Sequence, residues 1–132
     1  MNITLRNDAE KIARGAIAAV SPAEAVRKAL EGRIFSGRLY LVSVGKAAWK
    51  MAQTAVSRLE QPIEDGIVVT KYDHVEHPLE GITCYEAGHP VPDGNSFAAT
   101  QAVLDMTKEL KETDTVLFLL SGGGSALFEK PY

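Results

Sequence analysis

Apolar positions along this chain repeat with two different periods, and the switches between them outline its elements. From Asp8 to Val20, Ala9, Ile12, Ala13, Ala16, Ile17 and Val20 recur on one helical face, with Glu10, Lys11 and Arg14 on the other. Ser21-Pro22-Ala23-Glu24 predicts a second helix start. Ser21 caps, Pro22 fits the first helical position, and Glu24 reaches back to complete a capping box. That helix is expected to run to about Glu31 and stop at Gly32. Leu39 to Val44, largely apolar and bounded by Gly37 and Gly45, predicts a strand. From Lys46 the period turns helical: Ala48, Met51, Ala52, Ala55, Val56 and Leu59 share a face, and Pro62 closes the unit.

Glu64-Asp65-Gly66 reads as a turn, Gly66 to Tyr72 as a second strand, and Ile82 to Ala87 as a short third one. Gly88 to Gly94 contains two prolines and two glycines, too many breakers for regular structure. Asn95 or Ser96 is expected to cap a further helix carrying Ala99, Val103, Met106 and Leu110 along one face. Lys111 to Asp114 then leads into Val116-Leu117-Phe118-Leu119-Leu120, an unbroken apolar run that suits a strand buried on both faces. Strands alternating with helices predict an α/β fold, Rossmann-like, with a mainly parallel sheet flanked by helices. At 132 residues there is room for one domain. The last strand lacks a completed covering helix, so residues 1–132 read as an incomplete N-terminal domain of something longer.

Charge and composition narrow the function classes. The net charge of −3, with lysines and arginines scattered, argues against non-specific nucleic-acid binding. No apolar segment approaches the roughly 20 residues of a membrane span. Arg6, Asp8, Glu10 and Lys11 occupy the place where a signal peptide needs an apolar run, which makes the cytoplasm the default location. Cys84 is the single cysteine and is read as a small apolar filler, and no His or Cys pair stands at metal-ligand spacing.

Two strand ends carry candidate chemistry, because open α/β sheets bind ligands outside the carboxyl ends of their strands. The first is Ser121-Gly122-Gly123-Gly124-Ser125. Three glycines without Cβ atoms let main-chain N–H groups approach an anion, and a helix beginning at Ala126 would add its dipole. Hydroxyls of Ser121 and Ser125 could add donors, although a plain turn needing positive φ explains the same glycines. The second is Gly45-Lys46, where Lys46 on the first helical turn opposes the helix dipole unless an anion is close. An ordinary surface lysine is the alternative. Lys71, His74 and His89 could reach the same edge, whereas His77 reads as a solvated loop residue and Trp49 as a packing residue. The glycine loop lacks the Gly-Lys-Ser/Thr of a Walker A motif. It is also a poor dinucleotide fingerprint, since Leu127 stands where the third small residue belongs.

Four stretches in order sharpen this. Val44-Gly45-Lys46-Ala47-Ala48, Val68-Val69-Thr70-Lys71-Tyr72, Glu86-Ala87-Gly88-His89-Pro90-Val91-Pro92-Asp93 and Leu119-Leu120-Ser121-Gly122-Gly123-Gly124-Ser125-Ala126-Leu127 together resemble the glycerate 2-kinase family, two-domain enzymes whose second domain is called MOFRL. The resemblance covers essentially the whole chain and implies the N-terminal part of such an enzyme, with the MOFRL domain absent from this chain. It implies ATP-dependent phosphorylation of D-glycerate at its 2-hydroxyl, a divalent metal, usually Mg²⁺, and an active site between two domains. It makes the lysine matching Lys46 catalytic and puts the loop matching Ser121 to Ser125 at the site, with Gly45 counted among the residues that bind substrate or phosphate. Two departures stand out: Asp73 replaces a glycine often found before the histidine matching His74, and Trp49 replaces a usually small residue. No metal ligands are assigned within these residues. The expected partners are glycerate, ATP and the missing C-terminal domain, with a homo-oligomer left open. On its own the chain is expected to be inactive. The competing readings are a non-catalytic phosphate- or anion-binding module, a hydroxypyruvate reductase-like oxidoreductase, and a sugar-phosphate isomerase-like binding domain.

Overall fold

The computed structural model describes residues 2–131. Four strands, β1 (Leu39–Val44), β2 (Ile63–Lys71), β3 (Ile82–Ala87) and β4 (Thr115–Leu120), form one sheet in the order β3-β2-β1-β4. Every pairing is parallel; α helices make the crossovers from β1 to β2 and from β3 to β4, whereas residues 72–81 carry the chain from β2 to β3 without a helix. β1 is buried along its whole length, and its apolar residues feed both faces. On one face Leu41 and Val68 pack with Val26 and Leu30 of α2 (Pro22–Leu30) and with Ala48, Trp49, Ala52 and Ala55 of α3 (Ala48–Arg58). On the other, Val42, Val44, Ile67 and Val69 pack with Ala99 and Val103 of α4 (Gly94–Met106) and with Leu127 of the single turn α5 (Gly124–Leu127).

The connection order places a topological switch beside β1. The chain leaves β1 through α3 to reach β2 and then β3 on one side, and returns through α4 to β4 on the other. The crossovers on either side of β1 thus lie on opposite faces of the sheet. The switch point, between the carboxyl ends of β1 and β4, is where open α/β sheets place their ligand crevice.

Several expectations need correction. The run Val116 to Leu120 is an edge strand rather than one buried on both faces. Val116, Phe118 and Leu120 are exposed, because α4 packs over β2 and β3 and only the one-turn α5 approaches their side. Phe118 meets Phe128 edge-on, with ring centroids 5.9 Å apart. The first helix, α1 (Ile3–Ala19), begins five residues before the periodic stripe, since the Asn2 side chain accepts from the Thr4 and Leu5 N–H groups. None of its residues is buried, so the apolar stripe faces outward. β2 starts at Ile63 rather than Gly66, with a register irregularity opposite Leu39 and Tyr40. The cap of α4 is Asp93, not Asn95 or Ser96. Its carboxylate accepts from the Asn95 and Ser96 N–H groups, while the Ser96 hydroxyl returns a bond from the Asp93 N–H.

Candidate active site at the carboxyl ends of the strands

Lys46 and the glycine loop meet at this crevice. The Lys46 N–H donates to the Gly122 carbonyl at 2.9 Å, and the Ser121 N–H donates to the Val44 carbonyl at 2.9 Å, so the β1–β4 ladder continues into both loops. The Ser121 hydroxyl joins them, accepting from the Ala47 N–H at 3.0 Å and donating to the Val44 carbonyl at 3.4 Å. Gly45 carries φ 122°, and a Cβ there would overlap Ser121 Oγ and lie 2.6 Å from the Ser121 carbonyl oxygen. Only glycine lets the loops close to this distance. Beyond the latch, the Lys46 side chain lies over bare main chain. Its Cε is 3.7 Å from the place of a Cβ on Gly122, and its Cγ 3.3 Å from one on Gly123.

The three glycines therefore do different things. Gly122 is exposed, and Gly123, at φ 85°, is half-buried. Gly124 is buried, and a Cβ on it would stand 2.6 Å from Leu120 Cδ1. Two further expectations are revised here. Lys46 precedes the helix, because α3 starts at Ala48 with Ala47 as its cap, so this lysine stands just before that N-terminus in the chain. The helix after the glycines starts at Gly124, not Ala126, and spans four residues, too short for a useful dipole. Ser121 spends its hydroxyl on the latch and is a positioning residue, whereas the exposed Ser125 makes no side-chain hydrogen bond among the described residues.

The remaining candidates divide. The His89 ring reaches the glycine loop, with Nε2 2.7 Å and Cδ2 2.8 Å from the place of a Cβ on Gly123. His74 shares with Lys46 a cleft of about 240 Å³, lined also by Trp49, Lys50, Asp73 and Glu76. The His74 ring Nδ1 sits 3.2 Å from the Tyr72 carbonyl, and its N–H donates to Glu86 Oε1 at 2.9 Å. Lys71 ends β2 opposite Ala87, on the α4 face with Val69, and its side chain makes no hydrogen bond or ion pair among the described residues. Trp49 is a core residue whose indole N–H donates to the His77 carbonyl at 3.0 Å. The His77 ring stands edge-on to it, so this histidine is exposed yet packed.

Two groups escaped the sequence reading. Thr70 is fully buried at the end of β2, on the α3 face with Val68, and its hydroxyl has no partner among the described residues. A β-branched residue in a strand gives no sign of this, because the face it occupies depends on register. Asp93 anchors the His89 loop by accepting from the Tyr72 hydroxyl at 2.7 Å, which with main-chain N–H groups of Gly88, Ser96 and Asn95 holds its carboxyl below the usual range. A larger hollow of about 700 Å³ lies between α1, α2 and α3. It excludes the strand ends and borders an exposed helix, so it carries no comparable chemistry.

A doubly wound parallel sheet with an ammonium group and a glycine-rich loop at its switch point defines an α/β protein built to receive an anion. Residues 8–132 match the family model described as a domain of unknown function, DUF4147, and the chain belongs to that family, the N-terminal domain of the glycerate 2-kinase family. Over 128 residues it is 50% identical to a D-glycerate 2-kinase of Thermotoga maritima, covering 97% of this chain and 30% of that protein. The crystal structure of a glycerate kinase from Thermotoga maritima superposes with a TM-score of 0.92 at 49% identity, covering 98% of this chain and 31% of that one. A putative hydroxypyruvate reductase of Agrobacterium vitis is 35% identical over 130 residues, covering 98% of this chain and 29% of that protein. The chain thus spans about 30% of the length of these relatives. Among the described residues no helix is long and apolar enough to cross a membrane.

Proposed function

We propose that this chain supplies the phosphoryl-facing wall of a glycerate 2-kinase, which transfers the γ-phosphoryl group of ATP to the 2-hydroxyl of D-glycerate. The observation that carries this reading is the Lys46 side chain lying against the bare main chain of Gly122 and Gly123 at the switch point. In such a transfer the hydroxyl oxygen bonds to phosphorus, the bond to ADP breaks, and the hydroxyl proton leaves. Little covalent work is asked of the protein. Catalysis is positioning plus neutralisation of the equatorial oxygens, which an ammonium and outward main-chain N–H groups provide. Lys46 would stabilise the transferring group, and the glycine loop would hold its oxygens.

The donor set fits a phosphate, because the Lys46 side chain lies beside the main-chain N–H groups of Gly122 and Gly123, which donate to no main-chain carbonyl among the described residues. Mg²⁺ would neutralise charge on the phosphates when bound. Among the described residues no group of three or more His, Cys, Asp or Glu side chains could hold a metal, and no ligand for it is assigned to this chain. This chain matches only 30–31% of the length of these relatives, and in this reading the opposite wall lies in the rest. By itself the chain is expected to bind weakly and turn nothing over.

Glycerate-dependent ADP release tests the proposal. We expect none from this chain, and turnover when it is joined to the portion its relatives carry beyond it. Lys46→Ala should then lower kcat at least about a hundredfold, the scale for losing one preorganised charge donor. Normal turnover in that variant would refute the role of Lys46. A reductase reading draws on the Agrobacterium vitis relative. Against it, Leu127 occupies the third glycine position and α5 is one turn long. Oxidation of NADH by hydroxypyruvate in the joined protein, without ADP release, would favour the reductase.

A further inference from the structure

The loop from Gly88 to Asp93 holds one polar side chain, His89, that makes no hydrogen bond among the described residues. Asp93 is fixed by the Tyr72 hydroxyl and by its role as cap of α4. Asn95 ties the same corner to β3, donating to the Tyr72 hydroxyl at 3.0 Å and to the Glu86 carbonyl at 3.1 Å. At the other end Gly88 lies so close that a Cβ would overlap the Val91 carbonyl and stand 3.1 Å from Asp93 Cγ. A loop pinned at both ends presents His89 in a fixed place. That place is against Gly123, on the same spot that the Lys46 stem approaches.

The His89 ring is half-buried, yet neither ring nitrogen makes a hydrogen bond among the described residues. Unpartnered and still accessible beside the glycine loop, the ring nitrogens are free to meet a ligand bound there. The surroundings select the partner's sign. Lys46 and the main-chain N–H groups of Gly122 and Gly123, which donate to no main-chain carbonyl among the described residues, are all donors, and a site so furnished takes an anion. The ring nitrogen facing an anion is the one carrying hydrogen. Resting on the kinase reading above, we infer that His89 donates a hydrogen bond from Nε2 to the same phosphoryl group that Lys46 faces, making it a third contact and a catalytic residue. Gly123 is then glycine for a second reason: its missing side chain is the space in which imidazole and lysine converge.

The test is an NMR titration of the imidazole nitrogens and main-chain amides with inorganic phosphate, ATP and D-glycerate as separate probes. Phosphate and ATP should move the His89 Nε2 resonance together with the Gly122 and Gly123 amides, and leave His77 still. His89→Ala should weaken phosphate binding about tenfold, the scale for losing one bond to a charged acceptor. His89→Gln, which keeps an N–H near the same position, should stay within about threefold of wild type. Those expectations hold for folded variants, shown by unchanged amides in β1 and β3; the wild-type titration needs no variant. If Gly122 and Gly123 respond to phosphate but His89 does not, or if His89→Ala binds as wild type does, this contact is overturned and the kinase reading stands. A His89 response to D-glycerate but not to phosphate overturns the assignment to a phosphoryl group. No response of any of these groups overturns both readings.

Discussion

Gly45→Ala is the sharpest probe of how the site is assembled, because it adds one methyl group at the latch. Alanine at φ 122° is strained, at about 1–2 kcal/mol for a left-handed backbone. The new Cβ would also overlap Ser121 Oγ and press on Ser121 main chain, 2.6 Å from its oxygen and 2.8 Å from its carbon. That main chain cannot swing aside like a flexible side chain, since the Ser121 N–H is bonded to Val44. Forced displacement of this kind costs about 1–3 kcal/mol, for a sum of roughly 2–5 kcal/mol. Ser121→Ala removes the acceptor for the Ala47 N–H and the long bond to the Val44 carbonyl, which keeps its bond from the Ser121 N–H, and about 1 kcal/mol is expected. Adding Ser121→Gly to Gly45→Ala relieves the Oγ overlap but not the main-chain contact, so it should recover less than half of the loss. Urea unfolding followed by fluorescence of Trp49, the single and buried tryptophan, measures all three. A Gly45→Ala variant within about 0.5 kcal/mol of wild type, the range of an inert surface change, would refute the close-approach argument.

Two further outcomes follow from single residues. Asp73 holds φ 63° at the lip of the Lys46 cleft, where its own side chain is a conformational cost, so Asp73→Gly should raise stability by up to about 1 kcal/mol while Asp73→Val lowers it; a destabilised glycine variant in thermal melts would contradict this. Asp114 accepts two bonds from Arg38 and one from the Lys111 N–H, and the Arg38 guanidinium foremost holds its carboxyl down at about 2. Because the folded value lies below the unfolded one of about 3.9, its contribution is complete above about pH 4 and fades as pH falls toward 2. The gap in urea midpoint between wild type and Asp114→Asn should therefore narrow across that range. Glu24, held at about 2 by Arg27, titrates equally in both proteins and cancels.

Local pattern determined much of this molecule. The bounds of β1 and β3 and the Ser21 cap of α2 were legible because apolar runs, glycine stops and capping hydroxyls act within a few residues. Lys46 and the glycine loop were legible as chemistry because a cation before a helix start and three bare residues after a strand are unusual wherever they fall. Their meeting, across 74 residues from Ala47 to Ser121, was decided by the strand order, which puts β4 rather than β2 or β3 on the far side of β1. Only that order tells which glycine faces out, turns the Ser121 hydroxyl inward, and leaves Phe118 and the α1 stripe uncovered. Periodicity says that a side chain has a buried face; what lies against that face is a matter of long-range packing, and so is the convergence of His89 and Lys46 on Gly123.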